Sequence, residues 1–411
     1  MLSASPELFL QIESDRILVR PMKGTAPRGR WPAEDRRAAQ ALLASDKDRA
    51  ENAMIVDLLR NDLGRVARPG TVEVTRLFEV ERYETVWQLT STIAARLSRG
   101  LSLLDVFRAL FPSGSVTGAP KLAAMRIIAD LEDSPRGVYT GAVGFVAPAP
   151  TGGVRAAFNV AIRTLILETA TGLAEYGVGG GITHDSRAER EYAEALAKAR
   201  VLTERRPDFE LIETLGHHPA SGYADLDEHL ERLAASARYF GFRSDPSAIA
   251  EALDRAAQRL RGPARVRLAL ARSGEVRVEV GPMPAVPEAP LRVAIDPEPV
   301  DPADVWLYHK TSLREPYDRR RCRRPDVDDV LLVNTRGEVT ESTVANVAVR
   351  QADLWCTPPL ESGLLPGTRR AALVREGLLV ERPIPVELAR TADELALVSS
   401  LRGWRRAVVV P

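Results

Sequence analysis

Only five lysines, Lys23, Lys47, Lys121, Lys198 and Lys310, stand against 51 arginines in this chain. Arginine stays protonated and is no nucleophile, so a lysine kept where arginine is the rule marks chemistry that needs a free amine: nucleophilic attack or a Schiff base. Two of the five are expected to be nucleophiles, and the others ion-binding or surface residues. Carboxylates recur in pairs. Asp48 and Glu51 stand three apart in DKDRAEN, and Glu191 and Glu194 three apart in EREYAEALAK, so each pair lies on one helical face. Two acidic faces can hold Mg2+ and bridge it to a dicarboxylate substrate, although spacing alone fits solvated faces better.

Loops supply the complementary donors. Gly177–Gly181 (GVGGG) precedes a helical pattern, where backbone N–H groups meet an anion with no Cβ in the way. SGSVTGAPK, Ser113 to Lys121, runs into a helix start at Pro120, whose unpaired amides favour carboxylates. Further along, Lys310 lies in WLYHKTS and Glu341 near a strand end in GEVTESTVAN. LLPGTRR places Gly367 and Thr368 at a helix start, and Arg232 lies on the helix of HLERLAASA. Each is ordinary alone. Together they match the needs of pyridoxal 5'-phosphate: an amine, an acid for the pyridinium nitrogen, and anchors for a phosphate.

The positioning elements read as mixed α/β. In residues 1 to about 205, strand-like runs (Arg16–Arg20, Thr71–Leu77, Val138–Val146, Phe158–Leu167) alternate with helices over Lys47–Leu59 and Ala188–Leu202. Pro207 in RRPDF ends the last helix, which puts a domain boundary at 205/206. The second part predicts a strand at Phe209–Thr214, a helix at Leu226–Phe240, and a hairpin of Ala264–Ala271 and Glu275–Val280 turning at Ser273-Gly274. The proline-rich Met283–Pro290 separates subdomains of about 208–285 and 291–411.

At 411 residues the chain is too long for one core. Hydrophobic residues at 45% and charged residues at 27% exclude a disordered or fibrous protein. The net charge of +0 leaves no basic surplus for nucleic acid or an anionic membrane. With no long apolar run and no export pattern, a cytoplasmic protein is expected. Cys322, placed in an Arg-rich loop, and Cys356, placed in a strand, cannot build a disulfide framework or a zinc cluster.

ASPELF, PMKGTAPRG, DKDRAENAMIVDLLRNDLGRV, SGSVTGAPK, YTGAVGF, IRTL and GVGGGITHDSRAEREYAEALAKAR occur in order over residues 1 to about 203. In these the chain resembles the chorismate-utilising enzymes. Lys23 stands where anthranilate synthases carry Ala and aminodeoxychorismate synthases carry Lys, so the resemblance is to component I of the latter. It implies that Lys23 attacks chorismate C2 while Glu7 assists departure of the C4 hydroxyl, before ammonia adds at C4. It further implies Mg2+ on Glu51 and Glu194, supported by Asp48 and Glu191, with Asp48 departing from the Glu of anthranilate synthases. Substrate contacts carry over to Thr25, Thr117, Lys121, Tyr139, Arg163, Gly179, Gly180, Gly181 and Lys198. The family has a long segment ahead of SPELF, whereas Met1 lies four residues before Ser5. An incomplete fold of packed sheets and flanking helices, with unpartnered strands and an exposed apolar face, is therefore expected.

Residues 208–411 resemble the class IV, branched-chain-type pyridoxal-phosphate enzymes, and within them the aminodeoxychorismate lyases. The resemblance implies Lys310 as the Schiff-base lysine and proton shuttle, and Glu341 at the ring nitrogen. Arg232, Gly367 and Thr368 are implied at the phosphate, with Ser399 and Ser400 adding contacts. Motifs alone leave lyase and aminotransferase open, and so leave open an aminotransferase of branched-chain or D-amino acids joined to an inert remnant. The fusion decides for the lyase, because the first domain's product is the lyase's substrate. The expectation is a bifunctional enzyme of 4-aminobenzoate synthesis, taking chorismate and ammonia, served by a separate glutaminase subunit and forming a homodimer through its second domain.

Overall fold

The computed structural model describes every residue except 151–152, 185, 200–201, 203–206 and 286, so residue 205, where the sequence places the boundary, lies outside the described residues. Two compact units result: Met1–Arg28 with Arg36–Arg206, and Gly29–Asp35 with Pro207–Pro411.

The first unit is built on a seven-stranded sheet. Its order is Met22–Pro27, Val86–Arg96, Arg16–Arg20, Leu8–Glu13, Val154–Val160 and Ala142–Pro148, with Glu73–Arg82 also paired to Val86–Arg96. Leu10, Ile12, Ile17, Val19 and Ile93 form its buried face, packed on Ile55, Val56, Leu59 and Leu63 of the helix Asp46–Gly64. Apolar residues three and four apart on that helix meet the sheet as a single stripe. Ser45 caps it by accepting from the N–H of Asp48 at 3.3 Å. The strand expected over Phe158–Leu167 is two strands, Val154–Val160 and Thr164–Leu167, broken where Arg163 takes a φ of +48°. The helix Lys121–Leu131 has no buried residue, and Leu122, Ile127 and Leu131 are exposed. On the terminal strand of the sheet, Phe145 and Val146 are both exposed.

The second unit joins two sheets. Gly222–Tyr223, Leu211–His218, Ala264–Leu270 and Val276–Pro282 form an antiparallel sheet, and the predicted turn is present with Gly274 at a φ of +96°. In the other sheet, Asn346–Gln351, Glu394–Ser399, Gly403–Val409, Leu291–Ile295, Asp329–Val333 and Glu338–Ser342 run side by side. The bridge between Glu341 and Asn346 pairs the last strand with the first and closes a six-stranded barrel. Val293, Leu331, Val347, Leu397 and Ala407 belong to its core. Cys322, expected in a loop, ends the helix Glu315–Cys322, while Cys356 is buried in a strand. Among the described residues no helix is long and apolar enough to cross a membrane.

Candidate active sites

In the first unit, Glu7 directly precedes the strand Leu8–Glu13, and its carbonyl accepts from the Val160 N–H at 3.0 Å. Its side chain is only 5% exposed. Burial pushes the carboxyl up to about 7, opposed by the Ser115 hydroxyl, the Lys23 charge and the Met22 backbone N–H. Lys23 lies on the strand Met22–Pro27. The buried Asn52 fixes that strand by donating to the carbonyls of Lys23 at 3.2 Å and Leu89 at 3.1 Å. In return, the Ser91 hydroxyl donates to Oδ1 of Asn52 at 2.6 Å. Neither Asn52 nor Ser115 was picked out from sequence; the only signal was their place beside Glu51 and inside SGSVTGAPK.

The glycine loop closes over this strand. A Cβ on Gly181 would overlap the Nζ of Lys23, and one on Gly177 would overlap the Tyr139 ring. At Gly179 it would stand 2.9 Å from the Tyr139 hydroxyl, and at Gly180 3.1 Å from a Glu191 carboxylate oxygen. Lys23, Tyr139 and Glu191, far apart in sequence, thus converge on one glycine loop, whose backbone approaches the Tyr139 ring most closely at Gly177. Thr25 donates to Gln88 Oε1 at 3.1 Å and Thr117 to the Ser113 carbonyl at 3.0 Å. Arg163 sits at the break between strands, where its charge acts on the hydroxyls of Tyr83 and Tyr176.

Two lysines expected at substrate have partners within the chain. Lys121 donates to Asp62 at 2.6 Å and to the Leu110 carbonyl at 3.0 Å, with Asp62 almost fully buried. The ammonium there neutralises a core carboxylate, which would otherwise be buried unpaired. Lys198 donates to the Gly179 carbonyl at 2.9 Å and pairs with Glu194 at 2.8 Å, so it buttresses the glycine loop. The four carboxylates expected to hold Mg2+ are not gathered. Glu194 faces Lys198, Glu191 accepts from Ser186 at 2.7 Å, and Glu51 lies 3.9 Å from Lys47. Among the described residues no three carboxylate, histidine or cysteine side chains form a group that could hold a metal ion.

In the second unit a cavity of about 320 Å3 brings together Arg232, Lys310, Glu341, Gly367, Thr368, Ser399 and Ser400, residues spread over the length of the domain. Lys310 is anchored by its carbonyl, which accepts from the Ile212 N–H at 2.9 Å. Burial and then the Arg232 charge lower its amine to about 8, against the opposing pull of Glu213. Glu341 is 4% exposed and is pushed by burial up to about 7. The register slips by one residue between the pairs Leu331–Ser342 and Val333–Val339. That slip takes Glu341 out of phase with Val339, so one strand feeds the barrel core and the cavity from positions two apart.

Gly367 starts the helix Thr368–Arg375, and a Cβ there would overlap Oδ1 of Asn346. The close approach sets the helix start, with its unpaired first-turn amides, at the cavity wall. Arg232 spends its guanidinium on Glu213, donating from Nε at 2.9 Å and Nη2 at 2.6 Å, and on the Pro366 carbonyl at 3.0 Å. Ser399 accepts from the Arg402 N–H at 3.3 Å. Sequence reading missed Glu213, His229 and Tyr317. A lone carboxylate inside the apolar run LIETL and a His three residues before Arg232 were the available signals. A low-pKa amine, a buried acid and hydroxyls at a helix start fit pyridoxal phosphate.

The family model of chorismate binding enzymes matches residues 1–204, and that of amino-transferase class IV matches residues 209–410. The chain thus carries a chorismate binding enzyme domain followed by a class IV aminotransferase domain. The first domain is similar to aminodeoxychorismate synthase component 1 of Salmonella typhimurium, 49% identical over 199 residues, covering 48% of this chain and 42% of that protein. It is also similar to anthranilate synthase component 1 of Streptomyces coelicolor, 46% identical over 202 residues, covering 49% of this chain and 38% of that one. The chain thus spans about two fifths of the length of these relatives. The second is similar to a Mesorhizobium loti protein provisionally named an amino-acid aminotransferase, 37% identical, covering 49% of this chain and 100% of that one, with a TM-score of 0.48.

Proposed function

We propose that the chain makes 4-aminobenzoate in two steps. In the first, the Lys23 nitrogen adds at C2 of chorismate as the C4 hydroxyl, taking the proton of Glu7, leaves as water. Ammonia then adds at C4 and expels Lys23, giving 4-amino-4-deoxychorismate. A carboxyl pushed up to about 7 is half protonated near neutrality, which suits a general acid. Tyr139, Arg163 and the Gly179–Gly181 amides are the proposed carboxylate contacts, with the hydroxyls of Thr25 and Thr117 nearby. No step is assigned to magnesium, because Glu194 and Glu191 are engaged as described.

In the second step pyruvate is eliminated to leave the aromatic product. Pyridoxal phosphate, when bound, supplies the electron sink. Lys310 would hold the cofactor and move the substrate proton, and Glu341 would face the ring nitrogen. Thr368, Gly367, Ser399, Ser400 and Arg232 would line the phosphate end. The observation that carries this reading is the placement of Lys310 and Glu341, lowered to about 8 and raised to about 7, on one cavity.

Ammonia is proposed to come from a separate glutaminase subunit: Cys356 is buried in the barrel core, and Cys322 ends an arginine-rich helix. We place the enzyme in the cytoplasm, as a dimer through its second unit.

The test is 4-aminobenzoate formation by the full chain with pyridoxal phosphate, fed either chorismate plus ammonium or pre-made aminodeoxychorismate. Product from both feeds is expected. Product from aminodeoxychorismate alone restricts the reading to the second unit, and product from neither, with amino-acid-dependent transamination instead, replaces it.

A further inference from the structure

Trp31 lies among the residues matched by the chorismate binding enzyme model, yet it is buried in the second unit, 4% exposed. It belongs to the short segment Gly29–Asp35, whose flanking residues Arg28 and Arg36 are part of the first unit. The class IV match starts at residue 209, so this segment lies outside it. The Trp31 indole packs on the Tyr308 ring, centroids 5.0 Å apart and planes 31° from parallel, in a cluster with Val300, Leu307 and Leu332. The Arg30 guanidinium lies over both rings and donates to the Tyr308 hydroxyl at 3.2 Å and to the Pro302 carbonyl at 3.0 Å. Glu34 neutralises it, accepting from Nη2 at 2.7 Å and from the Arg30 backbone N–H at 2.6 Å. The Gly29 N–H closes the turn by donating to Asp35 at 3.0 Å, and a Cβ on Gly29 would overlap the Asp35 backbone. A loop that only joined two elements has no need of a buried indole and a neutralised guanidinium.

What the segment holds is the support of Lys310 and Glu341. A carbonyl only accepts, so Nε2 of His309 donates its hydrogen to the Arg30 carbonyl at 3.1 Å, while Nδ1 lies 2.9 Å from the Ser236 hydroxyl. His309 is 3% exposed and immediately precedes Lys310, whose own carbonyl accepts from the Ile212 N–H. The amine is thus carried on a backbone tied at two consecutive residues. Tyr317 packs against the Trp31 cluster and donates to Glu341 at 3.1 Å. Neither Arg30 nor Trp31 lines the cavity itself. Resting on the reading of Lys310 and Glu341 given above, we propose that Gly29–Asp35 is a positioning strap of the second site. It keeps Lys310 in place through His309, and Glu341 through Tyr317, with Trp31 as its anchor. The strap touches no substrate, so its effect falls on the reacting groups and not on substrate affinity.

The test compares the full chain with Trp31→Ala, with Trp31→Phe, which keeps an aromatic ring on Tyr308, and with Gly29→Ala, which forces the turn open while the buried cluster keeps its side chains. With pyridoxal phosphate and aminodeoxychorismate, Trp31→Ala is expected to lower kcat for pyruvate release roughly tenfold or more, with KM within about threefold of wild type. Trp31→Phe should recover most of the loss, and Gly29→Ala should reproduce it at a melting temperature near wild type. A second readout needs neither cofactor nor turnover. With its five histidines isotope-labelled, the cofactor-free chain should show by nuclear magnetic resonance the Nε2 hydrogen of His309, assigned by its absence from His309→Gln. That hydrogen should exchange slowly in wild type and Trp31→Phe, and fast in Trp31→Ala and Gly29→Ala. Where Trp31→Ala does not fold, Gly29→Ala decides by the same two readouts. Wild-type kcat in the folded variants, an unmoved His309 signal, or a kcat loss that only tracks melting temperature overturns the proposal alone. A wild type that releases no pyruvate overturns the reading of the second site and the proposal with it.

Discussion

Tyr317 donates its phenolic hydrogen to Oε1 of Glu341 at 3.1 Å, and the Leu365 N–H donates to Oε2 of the same carboxylate at 3.1 Å. Both bonds favour the ionised acid, yet burial wins and the carboxyl titrates at about 7. Losing the Tyr317 donor moves the balance further, so in Tyr317→Phe the pH midpoint of second-step turnover assigned to Glu341 should rise. An unmoved midpoint would detach Tyr317 from the chemistry.

The two lysines should be separable. Lys23→Ala is expected to abolish aminodeoxychorismate formation from chorismate and ammonium while leaving pyruvate release from aminodeoxychorismate within about twofold. Lys310→Ala should do the reverse. A lyase defect in Lys23→Ala would contradict two independent sites.

Glu7 gives a pH prediction with a definite sign. Its carboxyl is raised from 4.5 to about 7, so the folded state binds more protons than the unfolded between those values. Stability therefore falls as pH climbs through that window, by up to about 3 kcal/mol from this group. Glu7→Gln should melt higher than wild type at pH 8 and gain little at pH 4.5. The same variant should lose the decline in first-step rate above pH 7 along with most of the rate, roughly a hundredfold or more. Scanning calorimetry and pH-rate profiles check the two halves.

Lys121 and Asp62 distinguish a structural pair from a substrate contact. Lys121→Met leaves the Asp62 carboxylate buried and unpaired, at an expected cost of about 3 to 5 kcal/mol to the first unit. Lys121→Met combined with Asp62→Leu should recover most of it. A single variant with unchanged melting but lost chorismate affinity would return Lys121 to the substrate.

The glycine loop should be intolerant in a local way. Gly181→Ala places a methyl group where the Lys23 amine lies, so first-step rate should fall steeply while second-step turnover and global melting stay near wild type. Retained first-step activity would mean that Lys23 works from another position.

What the sequence determined by itself was chemical identity. The scarcity of lysine marked five amines, the motifs around Lys23 and Lys310 singled out two of them, and apolar spacing marked the helices Asp46–Gly64 and Leu226–Phe240, because amine chemistry and helical periodicity are written locally. Tertiary structure alone decided which charges are free. Asp62, remote in sequence, takes up Lys121, and the Gly179 carbonyl with Glu194 takes up Lys198. Glu213 claims the Arg232 guanidinium and lines up His229 with Ser400. No local pattern encodes such pairings: a buried charge takes whichever partner the fold brings within hydrogen-bond reach, and that partner comes from another strand or helix. Glu341 is decided in the same way, since a one-residue slip of register, invisible to alternation, turns it from the barrel core to the cavity.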